Sequence, residues 1–129
     1  MSVNNKAKEQ KSILLADDNA NIRYLFYEFM KISFPEYNVE TFEDGIALKG
    51  RLEKNIDDIK IIITDNRMPP GNTGSEIIKD YAKQIPMILV YGGEKYIGEK
   101  AIENGAVGYL LKPIYLQKLA EIVKRVLSP

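Results

Sequence analysis

Five short apolar runs, each followed by a longer amphipathic segment, constrain the fold of this chain more than any other feature. The runs lie at residues 13–16, 39–42, 59–64, 87–91 and 107–111. The third run contains Ile61, Ile62 and Ile63 in succession, and it is too apolar for a sheet that has one face in water. Such a strand is typical of a parallel sheet that is covered on both faces.

The amphipathic segments predict helices at residues 21–34, 44–54, 75–83, 94–104 and 114–127. The first of them carries Ile22, Leu25, Phe26 and Phe29 on one helical face, and Asp44 is placed to cap the second. Strands that alternate with helices form parallel sheets with helices on both faces. We therefore predict an α/β fold in which five βα units build one doubly wound sheet.

The composition limits the functions that this chain can have. Its 129 residues fit one domain, which we expect over residues 12–129 after a flexible N-terminal tail at residues 1–11. Eighteen basic and eighteen acidic residues cancel, so direct nucleic-acid binding is not expected. The chain has no cysteine and no histidine, which excludes thiolate and imidazole chemistry. No apolar segment is long enough for a membrane span, and we expect a cytoplasmic protein.

Acidic residues and one lysine follow the ends of three predicted strands. Asp17 and Asp18 end the first strand, Asp65 ends the third, and Lys112 ends the fifth. The carboxyl ends of parallel strands lie at one edge of the sheet, where ligands bind. Two carboxylates about 4 Å apart repel by roughly 4 kcal/mol at an effective dielectric near 20, so three of them need a cation, a proton or wide separation. A divalent ion held by oxygen ligands meets this need, although each residue taken singly also fits a helix cap or a turn.

These residues, with Met68-Pro69 after Asp65 and Pro113 after Lys112, resemble the response regulator receiver domain of two-component signalling. The resemblance extends from residue 12 to residue 127. It implies a flavodoxin-like (βα)5 fold with the strand order 2-1-3-4-5 and helices on both faces. It also implies a cis peptide bond between Lys112 and Pro113.

The resemblance assigns the charged residues to phosphoryl transfer. Asp65 corresponds to the phosphoacceptor, and Lys112 to the lysine that pairs with the phosphoryl oxygens. Mg²⁺ would be held by Asp18, Asp65 and the backbone carbonyl of Arg67, with Asp17 reaching the ion through water. An ionised aspartate needs no general base for this reaction, which depends mainly on positioning and electrostatics.

Two tyrosines and two glycines concern the transmission of a signal. Tyr109 corresponds to the aromatic residue that receivers use as a rotameric switch. Tyr91 stands where receivers end the fourth strand with serine or threonine, and neither residue type occurs from residue 76 to residue 127. The Tyr91 phenol could aim at the site, or it could turn away and leave the backbone amides of Gly92 and Gly93 to contact the phosphoryl group. In a third interpretation, Tyr91 merely fills space.

The loop after Asp65 departs from the spacing of the family. Receivers have a glycine eight residues after the phosphoacceptor, whereas this chain has Thr73 there and Gly74 next, as if residues 70–72 contained one extra residue. Arg67 lies where receivers tune dephosphorylation, and its cation would shield an acyl phosphate from water. We expect this loop to alter access to the site.

We therefore expect a stand-alone receiver that takes a phosphoryl group from a histidine kinase or phosphotransfer protein and signals to a downstream effector protein. It would not be an enzyme beyond slow autodephosphorylation. The helix at residues 94–104 has few inward candidates, chiefly Ile97, Ala101 and Ile102, which favours a partner surface. The face formed by residues 94–127 is our candidate for a homodimer contact.

Three alternatives remain at the level of the sequence. A receiver-like binding module with weakened or phosphorylation-independent switching is favoured by Tyr91. A Mg²⁺-dependent phosphatase is disfavoured by Arg67, because such enzymes commonly carry an acidic residue at that position. A flavin carrier is disfavoured because Asp17 and Asp18 would repel a phosphate group.

Overall fold

The chain forms a five-stranded parallel sheet, as predicted. The computed structural model describes residues 10–128, so the expected tail at residues 1–11 lies outside the described residues apart from its last two. The strands are β1 (Ser12–Ala16), β2 (Asn38–Phe42), β3 (Ile59–Asp65), β4 (Met87–Tyr91) and β5 (Gly108–Leu111). They pair in the order β2-β1-β3-β4-β5, and all four pairings are parallel. The predicted strand order is confirmed.

Helices cover both faces of the sheet. They are α1 (Ala20–Ser33), α2 (Gly45–Leu52), α3 (Gly74–Tyr81), α4 (Lys95–Glu103) and α5 (Leu116–Leu127). Side chains of α1 and α5, such as Phe26 and Leu119, pack on one face. Side chains of α2, α3 and α4, such as Leu48, Ile78 and Ala101, pack on the other face. The doubly wound architecture is therefore confirmed, with a separate core on each side of the sheet.

The predicted element boundaries agree with the structure to within a few residues. Strand β4 has the predicted bounds. Asp44 caps α2 as expected, since its side chain accepts a hydrogen bond from the N–H of Ala47 at 2.8 Å. The start of α5 differs by two residues, because Tyr115 has extended backbone angles at the N-cap position and the helix begins only at Leu116.

Two apolar residues that we expected to face the core are exposed. Leu25 and Ile102 have 51% and 44% of their surface accessible. In α1, the buried positions are Phe26 and Met30, one turn apart, and Leu25 lies about 100° around the helix from Phe26. The inward stripe of α1 is therefore narrower than the sequence indicates.

The helices are short, and the longest, α1, has 14 residues. Within residues 10–128, no helix has both the length and the apolar character that crossing a membrane requires.

The register of the sheet determines which residues meet at its carboxyl edge. Ala16 of β1 pairs with Thr64 of β3, so Asp17 and Asp65 follow as neighbours. Strands β4 and β5 end side by side, and Lys112 follows directly. The predicted convergence of these residues is thus a consequence of parallel strands that end at the same level.

An arginine joins α2 to the sheet near the amino end of β3. Arg51 Nε lies 2.9 Å from a carboxylate oxygen of Glu40, and its Nη2 lies 2.9 Å from Asp58. The guanidinium also donates to the carbonyl of Asn55 at 2.6 Å. Because the Arg51 side chain is only 16% exposed, this network fixes α2 against β2 and β3.

Candidate functional site

Three carboxylates meet at the carboxyl edge of the sheet. Asp17 and Asp65 are buried, with 3% and 6% of their surface exposed, whereas Asp18 is exposed. One oxygen from each of the three lies within 4.8 Å of the others. The predicted acidic cluster is therefore present, and two of its members are shielded from solvent.

Lys112 supplies the positive charge of the site. Its Nζ lies 3.2 Å from Asp65 Oδ2 and 3.7 Å from Asp17 Oδ2. The side chain is 31% exposed, so it reaches the carboxylates from the rim of the site. The Lys112-Pro113 peptide bond is cis, as the resemblance implies. One lysine thus faces two buried acids, and the charge of the cluster is only partly balanced.

Backbone and side-chain hydrogen bonds hold the two buried aspartates in place. The N–H of Asn19 donates to Asp17 Oδ1 at 2.8 Å, and Arg23 Nη1 donates to the Asp17 carbonyl at 2.8 Å. The N–H of Asn66 donates to Asp65 Oδ1 at 2.8 Å. The second carboxylate oxygen of each aspartate is left to face Lys112.

Burial raises the pKa of Asp17 and Asp65 above the ordinary value for aspartate. For Asp65, the negative charge of Asp17 raises the pKa further, and the positive charge of Lys112 opposes both effects. For Asp17, the hydrogen bond from the Asn19 N–H and the charge of Lys112 oppose the effect of burial. The ionised cluster is therefore destabilised as it stands, and a bound cation would relieve it.

The donor atoms fit a divalent cation. Asp17 Oδ2 is buried and has no hydrogen-bond partner among the described residues, which leaves it available to a ligand. The oxygens of Asp17, Asp18 and Asp65 are close enough to share one ion. Carboxylate oxygens are the ligands that Mg²⁺ prefers, and Mg²⁺ usually keeps several waters beside one or two of them. An all-oxygen set without sulfur or imidazole also matches the composition of the chain.

Two of the three carboxylates, Asp18 and Asp65, line an open cleft of about 290 Å³. Its lining residues are Asp18, Asp65, Asn66, Arg67, Tyr91, Gly92 and Lys112. Arg67 is exposed at the cleft, two residues beyond Asp65, as the sequence indicates. Of the two glycines that we expected to contact a phosphoryl group, Gly92 borders the cleft, whereas Gly93 is not among its lining residues. The cleft is large enough for a phosphoryl group and a hydrated ion.

Tyr91 borders the cleft, but its phenol group is directed to the start of α4. It is 1% exposed, and its phenol oxygen accepts a hydrogen bond from the N–H of Gly98 at 3.0 Å. The phenol in turn donates to the carbonyl of Lys95 at 3.1 Å. The interpretation in which the phenol aims at the site is therefore wrong, and the phenol turns away from it. Its two hydrogen bonds also exceed the role of a space filler. A contact of the Gly92 and Gly93 amides with a phosphoryl group remains a prediction.

Tyr109 packs beside Tyr91 on the same side of the sheet. The two ring centroids are 6.1 Å apart, and the rings are tilted by 45°. A Cβ atom placed on Gly98 would overlap the Tyr109 ring. The absence of a side chain at Gly98 is thus what lets Tyr109 lie against α4, and the expected role of Tyr109 as a switch remains a prediction.

The loop between β3 and α3 explains why a glycine lies at position 74, nine residues after Asp65, and not at position 73. A Cβ atom on Gly74 would overlap the carbonyl oxygen of Asp65, so this position requires glycine. Thr73 is the N-cap of α3 and forms a capping box with Glu76. The extra residue lies before Thr73, where Gly71 has a φ of 105° that favours glycine.

Sequence reasoning missed three residues that shape the site. Arg23 holds the Asp17 carbonyl, Asn66 accepts hydrogen bonds from the N–H and hydroxyl of Ser75, and Gly98 provides space for Tyr109. Gly98 carried a usable signal, because an isolated glycine inside a helix is unfavourable and often has a packing reason. The other two contacts depend on the three-dimensional path of the chain.

Comparison with known proteins identifies the family. The sequence matches the family model of the response regulator receiver domain over residues 13–124. The chain is 29% identical over 119 residues to the oxygen regulatory protein NreC of Staphylococcus carnosus, and the match covers 88% of this chain but 54% of NreC. The chain therefore spans about half the length of that relative.

Other relatives are matched over nearly their whole length. A chemotaxis protein CheY homolog of Campylobacter jejuni is 29% identical over 123 residues, which cover 90% of this chain and 92% of the homolog. The crystal structure of a response regulator receiver domain protein from Clostridium thermocellum has a TM-score of 0.81 and 25% identity, and the match covers 90% and 93% of the two chains. With this sheet order, this acidic edge and the family match over most of its length, the chain belongs to the response regulator receiver domain family.

Proposed function

We propose that Asp65 accepts a phosphoryl group, with Mg²⁺ bound at the neighbouring carboxylates, and that the protein signals through contacts with other proteins. The observation that carries the proposal is the position of Lys112 Nζ, 3.2 Å from Asp65, within a cluster of three converging carboxylates. In the proposed site, the Asp65 nucleophile would lie between the Lys112 ammonium and the ligands of a bound metal ion.

The metal would be held by Asp18, Asp65 and the backbone carbonyl of Arg67, with Asp17 acting through water. When bound, Mg²⁺ supplies positive charge that offsets the negative charge of the transferring group. The unpartnered Asp17 Oδ2 and the raised pKa of Asp17 and Asp65 support this assignment, since both features are relieved by a cation.

In the proposed step, one carboxylate oxygen of Asp65 attacks the phosphorus atom of a phosphohistidine on the donor protein. The new P–O bond forms as the P–N bond breaks, and the bond electrons leave with the imidazole, which takes up a proton from solvent. Lys112 would pair with the oxygens of the transferred group, and Gly92 borders the space that this group would occupy. No general base is required, because the attacking group is already a carboxylate.

The proposal includes the partners and the location of the protein. A histidine kinase or phosphotransfer protein would donate the phosphoryl group in the cytoplasm, where ATP is available. The receiving partner would be an effector protein and not nucleic acid, consistent with the balanced charge. The face of residues 94–127 is a candidate for that partner or for a homodimer, since Ile102, Val107 and Leu111 are exposed there. Beyond slow loss of its own phosphoryl group, the protein would not be an enzyme.

One observation favours a second candidate function. Because Tyr91 offers no hydroxyl to the cleft, the protein is also a candidate for a binding module whose switching is weakened or independent of phosphorylation. A hydrogen bond to a charged group contributes about 1.5 to 3 kcal/mol, which is similar to the coupling energy of many allosteric proteins.

An intact-mass experiment separates these functions. The wild-type protein and Asp65→Asn are incubated with acetyl phosphate and Mg²⁺, and their masses are followed over time. We expect a stable gain of one phosphoryl group in the wild-type protein alone. No gain in either protein would favour the binding module, and rapid hydrolysis of acetyl phosphate without an adduct would favour a phosphatase.

A further inference from the structure

Helix α4 begins without a capping side chain of its own. Glu94 occupies the N-cap position but makes no side-chain hydrogen bond to the first turn. The N–H of Ile97 donates to the Glu94 carbonyl at 3.1 Å. The N–H groups at the start of a helix need acceptors from elsewhere, and the N–H of Gly98 finds one in the phenol oxygen of Tyr91 at 3.0 Å.

The same phenol makes a second bond to this turn. It donates to the carbonyl of Lys95 at 3.1 Å, so one side chain of β4 is joined to both ends of the first turn of α4. Tyr91 is almost fully buried, and the bond to Gly98 lies in the protein interior. Loss of the phenol oxygen would leave a buried N–H without a partner, which is more costly than loss of an exposed bond.

Tyr109 lies against the turn that Tyr91 holds. Its ring contacts the position where Gly98 lacks a side chain, and it is tilted against the Tyr91 ring at a centroid distance of 6.1 Å. The position of α4 and the position of the Tyr109 ring are therefore set together. Any movement of α4 away from the sheet would break the two phenol bonds and unpack both rings.

We propose that the Tyr91 phenol, and not the group carried by Asp65, determines the position of α4. The surface formed by α4 and β5 would then be preset, and phosphorylation would leave it in place. The part of this inference that concerns phosphorylation rests on the proposed function of Asp65. The structural half, that Tyr91 fastens α4 to the sheet, holds for the unmodified protein.

Hydrogen exchange of α4 tests the inference. Wild type, Tyr91→Phe and the matched control Tyr96→Phe are compared by mass spectrometry of peptides that cover residues 92–104. Tyr96 lies on the same helix but is 66% exposed, so its hydroxyl is not expected to contribute. We expect Tyr91→Phe to accelerate exchange in α4 about tenfold, and Tyr96→Phe to leave it unchanged. Treatment with acetyl phosphate and Mg²⁺ should alter wild-type exchange in α4 less than about twofold.

Each outcome decides a defined part of the inference. Equal exchange in wild type and Tyr91→Phe would overturn it, as would a response of wild-type α4 to phosphorylation as large as the effect of Tyr91→Phe. If intact mass shows no phosphoryl adduct, the proposed function of Asp65 fails, while the comparison of the two tyrosine variants still tests the fastening of α4. If Tyr91→Phe does not fold, wild-type exchange with and without acetyl phosphate and Mg²⁺ still tests the inference, because a change of about tenfold in α4 on phosphorylation would contradict it.

Discussion

Replacing Asp17 with asparagine should stabilise the metal-free protein and weaken its response to Mg²⁺. Asparagine keeps an oxygen that accepts the bond from the Asn19 N–H, and it removes one negative charge from a buried cluster. The variant therefore separates two properties that the structure assigns to the same carboxylate. In the proposed site, the Asp17 carboxylate is a destabilising charge when the metal is absent and would stabilise the bound metal through water when it is present.

The magnitude follows from the distances within the cluster. The carboxylate oxygens lie no more than 4.8 Å apart, and each pair repels by roughly 3.5 kcal/mol or more at an effective dielectric of about 20. Lys112, at 3.7 Å, attracts Asp17 by roughly 4.5 kcal/mol on the same scale. The repulsion of Asp17 by Asp18 and Asp65 exceeds its attraction to Lys112, so the Asp17 charge is destabilising overall. Because Asp18 is exposed, solvent screens its repulsion and makes the net effect smaller. We expect Asp17→Asn to gain about 1 to 2 kcal/mol, or about 4 to 8 °C in Tm.

The pH dependence of this gain has a defined sign. Because the pKa of Asp17 is raised in the folded state, the folded protein binds more protons than the unfolded chain between the ordinary aspartate value of about 3.9 and the raised value. The destabilising charge is fully present above the raised pKa and disappears as the pH falls through it. The difference in Tm between Asp17→Asn and wild type should therefore be largest near neutral pH and should vanish in acid.

Thermal unfolding followed by circular dichroism, in EDTA and in a series of Mg²⁺ concentrations, measures both effects. Each tenfold rise in Mg²⁺ above the dissociation constant should add about 1.4 kcal/mol to the stability of the wild-type protein. Asp80→Asn, which removes an exposed charge on α3, is the matched control and should respond like wild type. A lower Tm for Asp17→Asn in EDTA, or an undiminished response of this variant to Mg²⁺, would refute the reasoning.

Three further predictions concern the surroundings of the site. Arg67→Ala should accelerate loss of the phosphoryl group from Asp65, because the exposed guanidinium would no longer shield the acyl phosphate from water. Intact mass over time measures this rate, and an unchanged rate would show that Arg67 does not shield the acyl phosphate. Arg51→Ala removes the partner of the partly buried carboxylates of Glu40 and Asp58 and should lower the free energy of unfolding by about 2 kcal/mol in urea titrations. A loss below about 0.5 kcal/mol would show that these ion pairs contribute little to stability. Gly45→Ala places a Cβ atom against the backbone of Asn72 and should lower the free energy of unfolding by about 1 to 3 kcal/mol in the same assay. A variant as stable as wild type would contradict this prediction.

The sheet and its acidic edge could be predicted because they depend on local patterns. The β-branched run at Ile61, Ile62 and Ile63 indicates a strand buried on both faces, and five such runs separated by helices leave few arrangements. In parallel order the residues that follow the strands must meet at one edge. The proximity of Asp65 and Lys112 could therefore be predicted from their positions after the strands. Their separation of 3.2 Å could not, because it depends on the exact residues at which β3 and β5 end.

The direction of Tyr91 could be only half predicted. Strand alternation places it on the same face as Met87 and Leu89, and both of these side chains belong to the core on that face. The bonds of the phenol could not be predicted, because they depend on where the first turn of α4 lies above the sheet. The Gly98 N–H meets this phenol through tertiary packing, which local sequence does not encode.

The phosphoacceptor can be located directly by chemical trapping. The protein is incubated with acetyl phosphate and Mg²⁺ and then reduced with sodium borohydride, which converts an aspartyl phosphate into homoserine. Trypsin cleaves after Lys60 and Arg67, so Asp65 is the only acidic residue in the peptide of residues 61–67, whereas Asp17 and Asp18 share the peptide of residues 12–23. We expect homoserine at position 65 and nowhere else. Homoserine in the peptide of residues 12–23, or a phosphorylated protein whose peptide of residues 61–67 is unchanged, would contradict the assignment of Asp65.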